Sequence, residues 1–156
     1  MEGFLGIATG IVIATALGFG VNRLLSAAAP QPARPEQIPA EVWTQIVLRT
    51  PGGKWIGALE RYLSLAAFWT ENPSLIAGWF AFKVAAKWEV WRHIVQVPSA
   101  LEGIPPIEWY GIRSVLGSWV LTRFWLGTLV NVLIGLAAAY LGSHTYDFFG
   151  RLWPHR

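Results

Sequence analysis

One uncharged stretch, Phe124–Leu141, limits what this chain can fold into more than any other feature of its sequence. At about 18 residues it is long enough to cross the hydrocarbon core of a bilayer as a single helix. Every fourth position along it and its flanks is polar or small, and the positions are Arg123, Gly127, Asn131, Gly135, Ala139 and Ser143. In lipid, small residues let helix backbones approach closely, and an asparagine can hydrogen-bond across the contact. The stretch therefore predicts an integral membrane protein.

The composition agrees with a membrane protein of one domain, residues 1–156. Hydrophobic residues make up 54% of the chain and charged residues only 13%, compared with about 25% charged residues in an average soluble domain. The lack of cysteine excludes disulfides, thiolate metal sites and cysteine nucleophiles. The net charge of +3 is predicted to reflect basic cytoplasmic loops rather than nucleic-acid binding, because no basic run is interleaved with aromatic residues.

The amino-terminal apolar stretch predicts a first span over about residues 3–22. Its first basic side chain, Arg23, follows the stretch, whereas a secretory signal peptide begins with positive charge. Small residues again recur four apart, so we expect this face to pack against the last span or against a partner. The predicted helix-packing residues of the two spans are Gly6, Gly10, Ala14, Gly18, Gly127, Asn131, Gly135 and Ala139.

A linker and a short helix are predicted to follow. Prolines recur through residues 30–39, which predicts an extended segment. Residues 40–49 place apolar side chains on one helix face and polar side chains on the other. This pattern predicts an amphipathic helix in the membrane interface, although a helix packed on a soluble partner would show the same pattern.

Two further apolar segments, 55–70 and 73–91, are separated by Glu71, Asn72 and Pro73. They predict either a hairpin of two short spans or one kinked span with Glu71 at its centre. A carboxylate at mid-membrane costs at least ~2.5 kcal/mol, so the hairpin is favoured. The first arm is only ~24 Å long at 1.5 Å per residue, so a re-entrant hairpin is an alternative to two full spans. With a last span at 118–142, the predicted fold is all-α, with about four transmembrane helices and one interfacial helix.

The distribution of lysine and arginine predicts the topology. Nearly all of them fall on the inner side of this arrangement, and only Arg151 and Arg156 fall on the outer side. The positive-inside rule then places both termini on the outer, periplasmic side of a plasma membrane, which we take to be a bacterial inner membrane.

Charged residues also occur inside or at the edges of the predicted spans: Glu60, Arg61, Lys83 and Arg123. All lie towards the inner ends of their helices, where long basic side chains can reach the headgroups. We predict a structural ion-pair cluster in which Glu60 meets Lys83 across the hairpin, with an ion pathway or a partner contact as alternatives. An anionic-lipid headgroup site is predicted at Lys87, Trp88, Trp91 and Arg92.

No catalytic constellation is visible, and the three histidines fall at different depths, which argues against haem or metal binding. The leading interpretation is a small non-catalytic subunit or assembly factor of a larger membrane complex, without a cofactor, that contacts other subunits and lipids. One alternative is a transporter or channel component with a polar path through Glu60, Lys83, Arg123 and Asn131. Another is a membrane enzyme acting on lipid-linked substrates at the inner face through Glu60, His93 and the basic cluster.

Overall fold

The computed structural model describes residues 2–36, 38–41, 43–44, 53–92 and 105–152, and every regular element in these ranges is helical. The main helices are α1 (Glu2–Gly18), α2 (Val21–Ala28), α3 (Gly53–Trp69), α4 (Ser74–Arg92) and α5 (Pro106–Leu152). The all-α prediction is confirmed for this part of the chain. Residues 40–41 and 43–44 of the predicted interfacial helix are helical, and its remaining residues lie outside the described ranges.

Helix α5 is the longest of these helices. It has 47 residues and a length of ~70 Å. It begins well before the predicted span 118–142. Pro106 is tolerated in its first turn because the first amides of a helix have no intrahelical partner. Glu108 in the same turn is favourable next to the positive end of the helix dipole. Residues 106–117 therefore belong to the same helix as the predicted last span.

Helices α1 and α3 pack along the second half of α5 in opposite directions. Gly6 lies beside Gly142 and Gly10 beside Ala138, so α1 runs antiparallel to α5. Gly57 lies beside Asn131 and Arg61 beside Gly135, so α3 runs parallel to α5. Helix α4 returns antiparallel to α3. The start of α1, the α3–α4 turn and Gly142 consequently lie at one end of the bundle.

The first predicted span, residues 3–22, is divided in the structure. Helix α1 ends at Gly18, and α2 leaves at an angle of 42° after the two-residue turn Phe19–Gly20. The turn is closed by hydrogen bonds from the amides of Phe19 and Gly20 to the carbonyl oxygens of Ala16 and Leu17. Glycine within a helix costs about 1 kcal/mol relative to alanine, which makes this the weak point of the segment.

The turn between α3 and α4 has the compact geometry expected of a hairpin. The amide of Asn72 donates to the carbonyl oxygen of Ala67 at 2.9 Å, and that of Glu71 donates to Phe68 at 3.1 Å. These two bonds form a Schellman motif, whose left-handed position is occupied here by Glu71 with φ 53°. The Asn72 side chain then accepts the amide of Ser74 at 3.2 Å and caps α4. The structure thus has the hairpin rather than one kinked helix.

Replacing Glu71 by glycine is expected to raise the free energy of unfolding by about 1 kcal/mol, because glycine adopts the left-handed conformation without strain. Glu71→Ala is the matched control, since it removes the same charge but keeps the Cβ atom. Thermal unfolding in one detergent, followed by tryptophan fluorescence, compares the two variants. Equal gains would show that the charge, and not the backbone conformation, limits stability at this turn.

Among the described residues, one helix is long and apolar enough to cross a membrane, Pro106–Thr145. The bent pair Gly3–Gly18 and Val21–Ala28 forms a second candidate if it is counted as one span. The apolar part of α4, Ser74–Ala85, is shorter than a full span. By length and composition, the described helices thus provide one or two spans, compared with the four predicted.

Candidate functional site

The buried polar side chains of the bundle lie at a similar height along α5, beside the middle of its uncharged stretch. Helix α3 contributes Glu60, Arg61 and Ser64, and α5 contributes Thr128 and Asn131; all five are buried. Spacings of three and four residues place Glu60 and Ser64 on one face of α3, and Thr128 and Asn131 on one face of α5. The site is therefore built where these two faces meet.

The carboxylate of Glu60 is the centre of this site and is 2% exposed. Its Oε1 atom accepts hydrogen bonds from the ammonium group of Lys83 and from the indole Nε1 of Trp79, the latter at 3.3 Å. Its Oε2 atom accepts from the amide Nδ2 of Asn131, also at 3.3 Å. The contact expected between Glu60 and Lys83 is present as a salt bridge.

Lys83 joins α4 to both of the other helices. Besides Glu60, its ammonium group donates to the hydroxyl of Thr128 and lies 4.4 Å from the ring centroid of Phe124. A charge, a hydroxyl and an aromatic face together offset the desolvation of the ammonium group. The Thr128 hydroxyl in turn donates a hydrogen bond to the carbonyl oxygen of Phe124 at 2.9 Å.

The side-chain amide of Asn131 links Glu60 to Arg61, two neighbours in sequence that point in different directions on α3. Its Nδ2 donates to Glu60 and, at 2.8 Å, to the carbonyl oxygen of Gly127, while its Oδ1 accepts from the guanidinium of Arg61. A Cβ atom at Gly57 would come within 2.8 Å of this amide nitrogen. Glycine at that position therefore leaves the space that Asn131 fills.

Arg61 is the least satisfied member of the network. It is 9% exposed, and its Nε atom is buried without a hydrogen-bond partner. Its guanidinium lies across Gly18, where a Cβ atom would come within 2.5 Å of the central carbon. This position, at the carbonyl end of α1, favours a cation. The guanidinium of Arg61 thus turns inward to Asn131.

The predicted small-residue faces of the first and last spans pack against each other within the chain. A Cβ atom at Gly142 would clash with the carbonyl oxygen of Gly6, and one at Gly10 would come within 3.2 Å of the carbonyl oxygen of Ala138. Ala14 and Ala139 are fully buried in the interior. Gly135 approaches α3 instead, where a Cβ atom would lie 2.7 Å from that of Ser64. These faces are therefore covered by the protein's own helices.

Two predicted residues of α5 contribute no side chain to the network, although Asn131 donates to the backbone carbonyl oxygen of Gly127. Gly127 faces the side chain of Leu25 at an ordinary contact distance of 3.5 Å. Arg123 donates to the carbonyl oxygen of Ala29 at 3.1 Å and lies 5.3 Å from the ring of Trp119, whose Nε1 donates to the same oxygen at 3.2 Å. Arg123 thus holds the start of the proline-rich linker against α5.

The linker also covers part of the first half of α5. Between them lies an open, mainly apolar groove of about 440 Å³, lined by Pro32, Pro35, Trp43, Ile112 and Leu116 among others. Glu108 is the one charged residue in its lining.

Other predicted sites are placed only in part. The backbone of Lys87, Trp88, Trp91 and Arg92 belongs to α4, but their side chains lie outside the described residues, as do His93 and His155. The ring of His144 lies against Tyr140, with centroids 4.1 Å apart. No group of three or more potential metal ligands occurs in the part of the chain that the structure describes. Sequence reasoning missed Thr128 and Ser64, although Thr128 lies three residues before Asn131 on the same face.

Comparison with protein-family models, with curated proteins and with solved structures found no match.

Proposed function

We propose that this protein lies in a membrane with α1–α2, α3, α4 and α5 embedded in the bilayer, and that it serves as a small non-catalytic subunit or assembly factor of a larger membrane complex. One observation carries the membrane part: the charged side chains of Glu60 and Arg61 are inside, and many large apolar side chains are outside. Phe4 is 73% exposed, Phe82 is 62% exposed and Leu133 is 55% exposed, whereas Glu60 is buried. In water, exposed apolar side chains and buried charges are both unfavourable. In hydrocarbon, both are the favourable arrangement.

The positions of the basic residues support the predicted orientation. Arg23, Arg34, Arg113 and Arg123 lie towards the end of the bundle opposite the α3–α4 turn, since they belong to α2, the linker and the first part of α5. The positive-inside rule makes that end cytoplasmic. The start of α1 and the end of α5, which lie on the side of the bundle where the turn is, would then face the outer side of a plasma membrane.

A structural role is supported by the contacts that the Glu60–Lys83 ion pair makes within the chain. The carboxylate of Glu60, the ammonium of Lys83 and the amide of Asn131 all bond to groups of the same chain, and together they join α3, α4 and α5. Charges used in this way stabilise a scaffold. Helix α4 also leaves small residues uncovered: a Cβ atom at Gly78 would have no neighbour within 4 Å. Such a surface suits contact with another membrane helix.

Affinity purification of the tagged chain from native membranes in mild detergent tests the subunit assignment. We expect a fixed, stoichiometric set of partner proteins, and recovery of a lone stable protein would contradict the proposal. Because the chain has no cysteine, single substitutions also test the orientation. A membrane-impermeant maleimide should label Ser143→Cys in intact cells but label Ser26→Cys only after the cells are opened. The reverse pattern would overturn the orientation.

The depth of the ion network favours transport as a second candidate function, because charges inside a span often line ion paths. The path would run through Glu60, Lys83 and Asn131, without the Arg123 that sequence reasoning included. Ion or proton flux in liposomes that Glu60→Gln abolishes would establish it. The lipid-acting enzyme stays a further prediction, since His93 lies outside the described residues.

A further inference from the structure

We propose that Arg61 is the docking point for a carboxylate on a transmembrane helix of the partner protein. The inference rests on the proposed function as a membrane subunit and names the chemistry of the contact. An aspartate or glutamate near the middle of an otherwise apolar partner helix is the group that fits.

The first argument is the charge of the buried network. It contains two cations, Arg61 and Lys83, and one carboxylate, Glu60, so it carries one excess positive charge. Glu60 bonds directly to Lys83 and reaches Arg61 only through the neutral amide of Asn131. The carbonyl end of α1 supplies at most about half a negative charge. A full negative charge beside Arg61 would balance the site.

The second argument is the incomplete hydrogen bonding of Arg61. A guanidinium has five N–H donors in a planar fork that matches the two oxygens of a carboxylate. The structure gives Arg61 one side-chain acceptor, Asn131, and its buried Nε atom has none. A buried donor without a partner is destabilising, and more so in a charged group, so a second acceptor would stabilise the network.

The third argument is access at the break between α1 and α2. The guanidinium fills the space that a side chain at Gly18 would take, so the cation lies directly beside the break. The next residue, Phe19, is 83% exposed and is available for contact with an apolar partner. The break thus combines a cation with an exposed apolar side chain.

A second copy of this chain does not fit the site. Its other carboxylates in the described ranges lie in the linker region, in the α3–α4 turn or towards the ends of helices; they are Glu2, Glu36, Glu41, Glu71, Glu89, Glu108 and Asp147. None of these positions lies beside the middle of the apolar stretch, where Arg61 is. Among the described residues, then, none supplies the required carboxylate, and we assign it to a different protein.

The test uses the full-length protein in phosphatidylcholine vesicles, with a synthetic Leu–Ala transmembrane helix as the probe. The probe carries one glutamate at its centre, and the matched probe carries glutamine there. Fluorescence energy transfer measures association with the protein. We expect the glutamate helix to associate at least tenfold more strongly than the glutamine helix, and equal association would overturn the proposal without needing any variant.

Variants then assign the effect to Arg61. Arg61→Met should abolish the preference for glutamate, whereas Arg123→Gln, which removes another cation of the bundle, should preserve it. Retention of the preference in Arg61→Met, or its loss in Arg123→Gln, would overturn the assignment. If both probes bind alike while chloride, but not gluconate, raises the melting temperature, the occupant is an inorganic anion and the proposal fails. The probe experiment does not use the natural partner. A negative result with the probe therefore contradicts the role of Arg61, whereas failure to purify a complex contradicts the proposed subunit function.

Discussion

Replacing Glu60 by leucine is expected to lower the free energy of unfolding by about 3–5 kcal/mol, the largest single effect we predict. The substitution removes the only carboxylate in the ion network and leaves Lys83 buried without a counter-charge. It also removes the acceptor of Trp79 and one acceptor of Asn131. The indole N–H of Trp79 would then lack this acceptor in an apolar medium, at a further cost, whereas Asn131 would keep its bond to the carbonyl oxygen of Gly127.

The double variant Glu60→Leu, Lys83→Met shows whether this loss comes from the ion pair. Apolar side chains of similar volume often replace a buried pair at little cost, so the second substitution should recover most of the stability. A double-mutant cycle measures the coupling energy directly. It compares the unfolding, in bicelles, of the wild type, the two single variants and the double variant. Additive losses would mean that Glu60 and Lys83 are not energetically coupled.

Glycine-to-alanine substitutions are expected to change stability with opposite signs at neighbouring positions of α5. Gly135→Ala should cost about 3 kcal/mol, since its Cβ atom would clash with the backbone carbonyl of Arg61 and approach Ser64 to 2.7 Å. Gly127→Ala is the matched control. It meets only the flexible side chain of Leu25 at 3.5 Å, so the lower backbone entropy of alanine should gain about 0.5–1 kcal/mol.

Chemical unfolding in one detergent compares these two variants with Gly78→Ala on the open face of α4, which should behave like Gly127→Ala. Losses of similar size at all three glycines would mean that helix packing does not distinguish them. A gain at Gly135 would contradict the close approach of α3 to α5.

Local features of the sequence predicted much of the helical framework. Glu71, Asn72 and Pro73 indicated the hairpin because turn formation depends on the conformational preferences of a few adjacent residues. The hairpin in turn placed Glu60 and Lys83 at similar depth, so their contact followed from counting residues away from the turn. The break at Phe19–Gly20 was missed, because glycines that interrupt a helix resemble the glycines of a packing face.

By itself, then, the sequence determined which segments are helical, where the hairpin turns and which helix faces are small, because each of these depends on residues close together along the chain. Only the tertiary structure decided that the small faces of α1 and α5 cover each other, that Asn131 joins Glu60 to Arg61, and that Arg123 holds the linker. The physical reason is that a buried charge pairs with the polar groups that neighbouring helices place at the same depth. That depends on the packing of segments far apart in sequence.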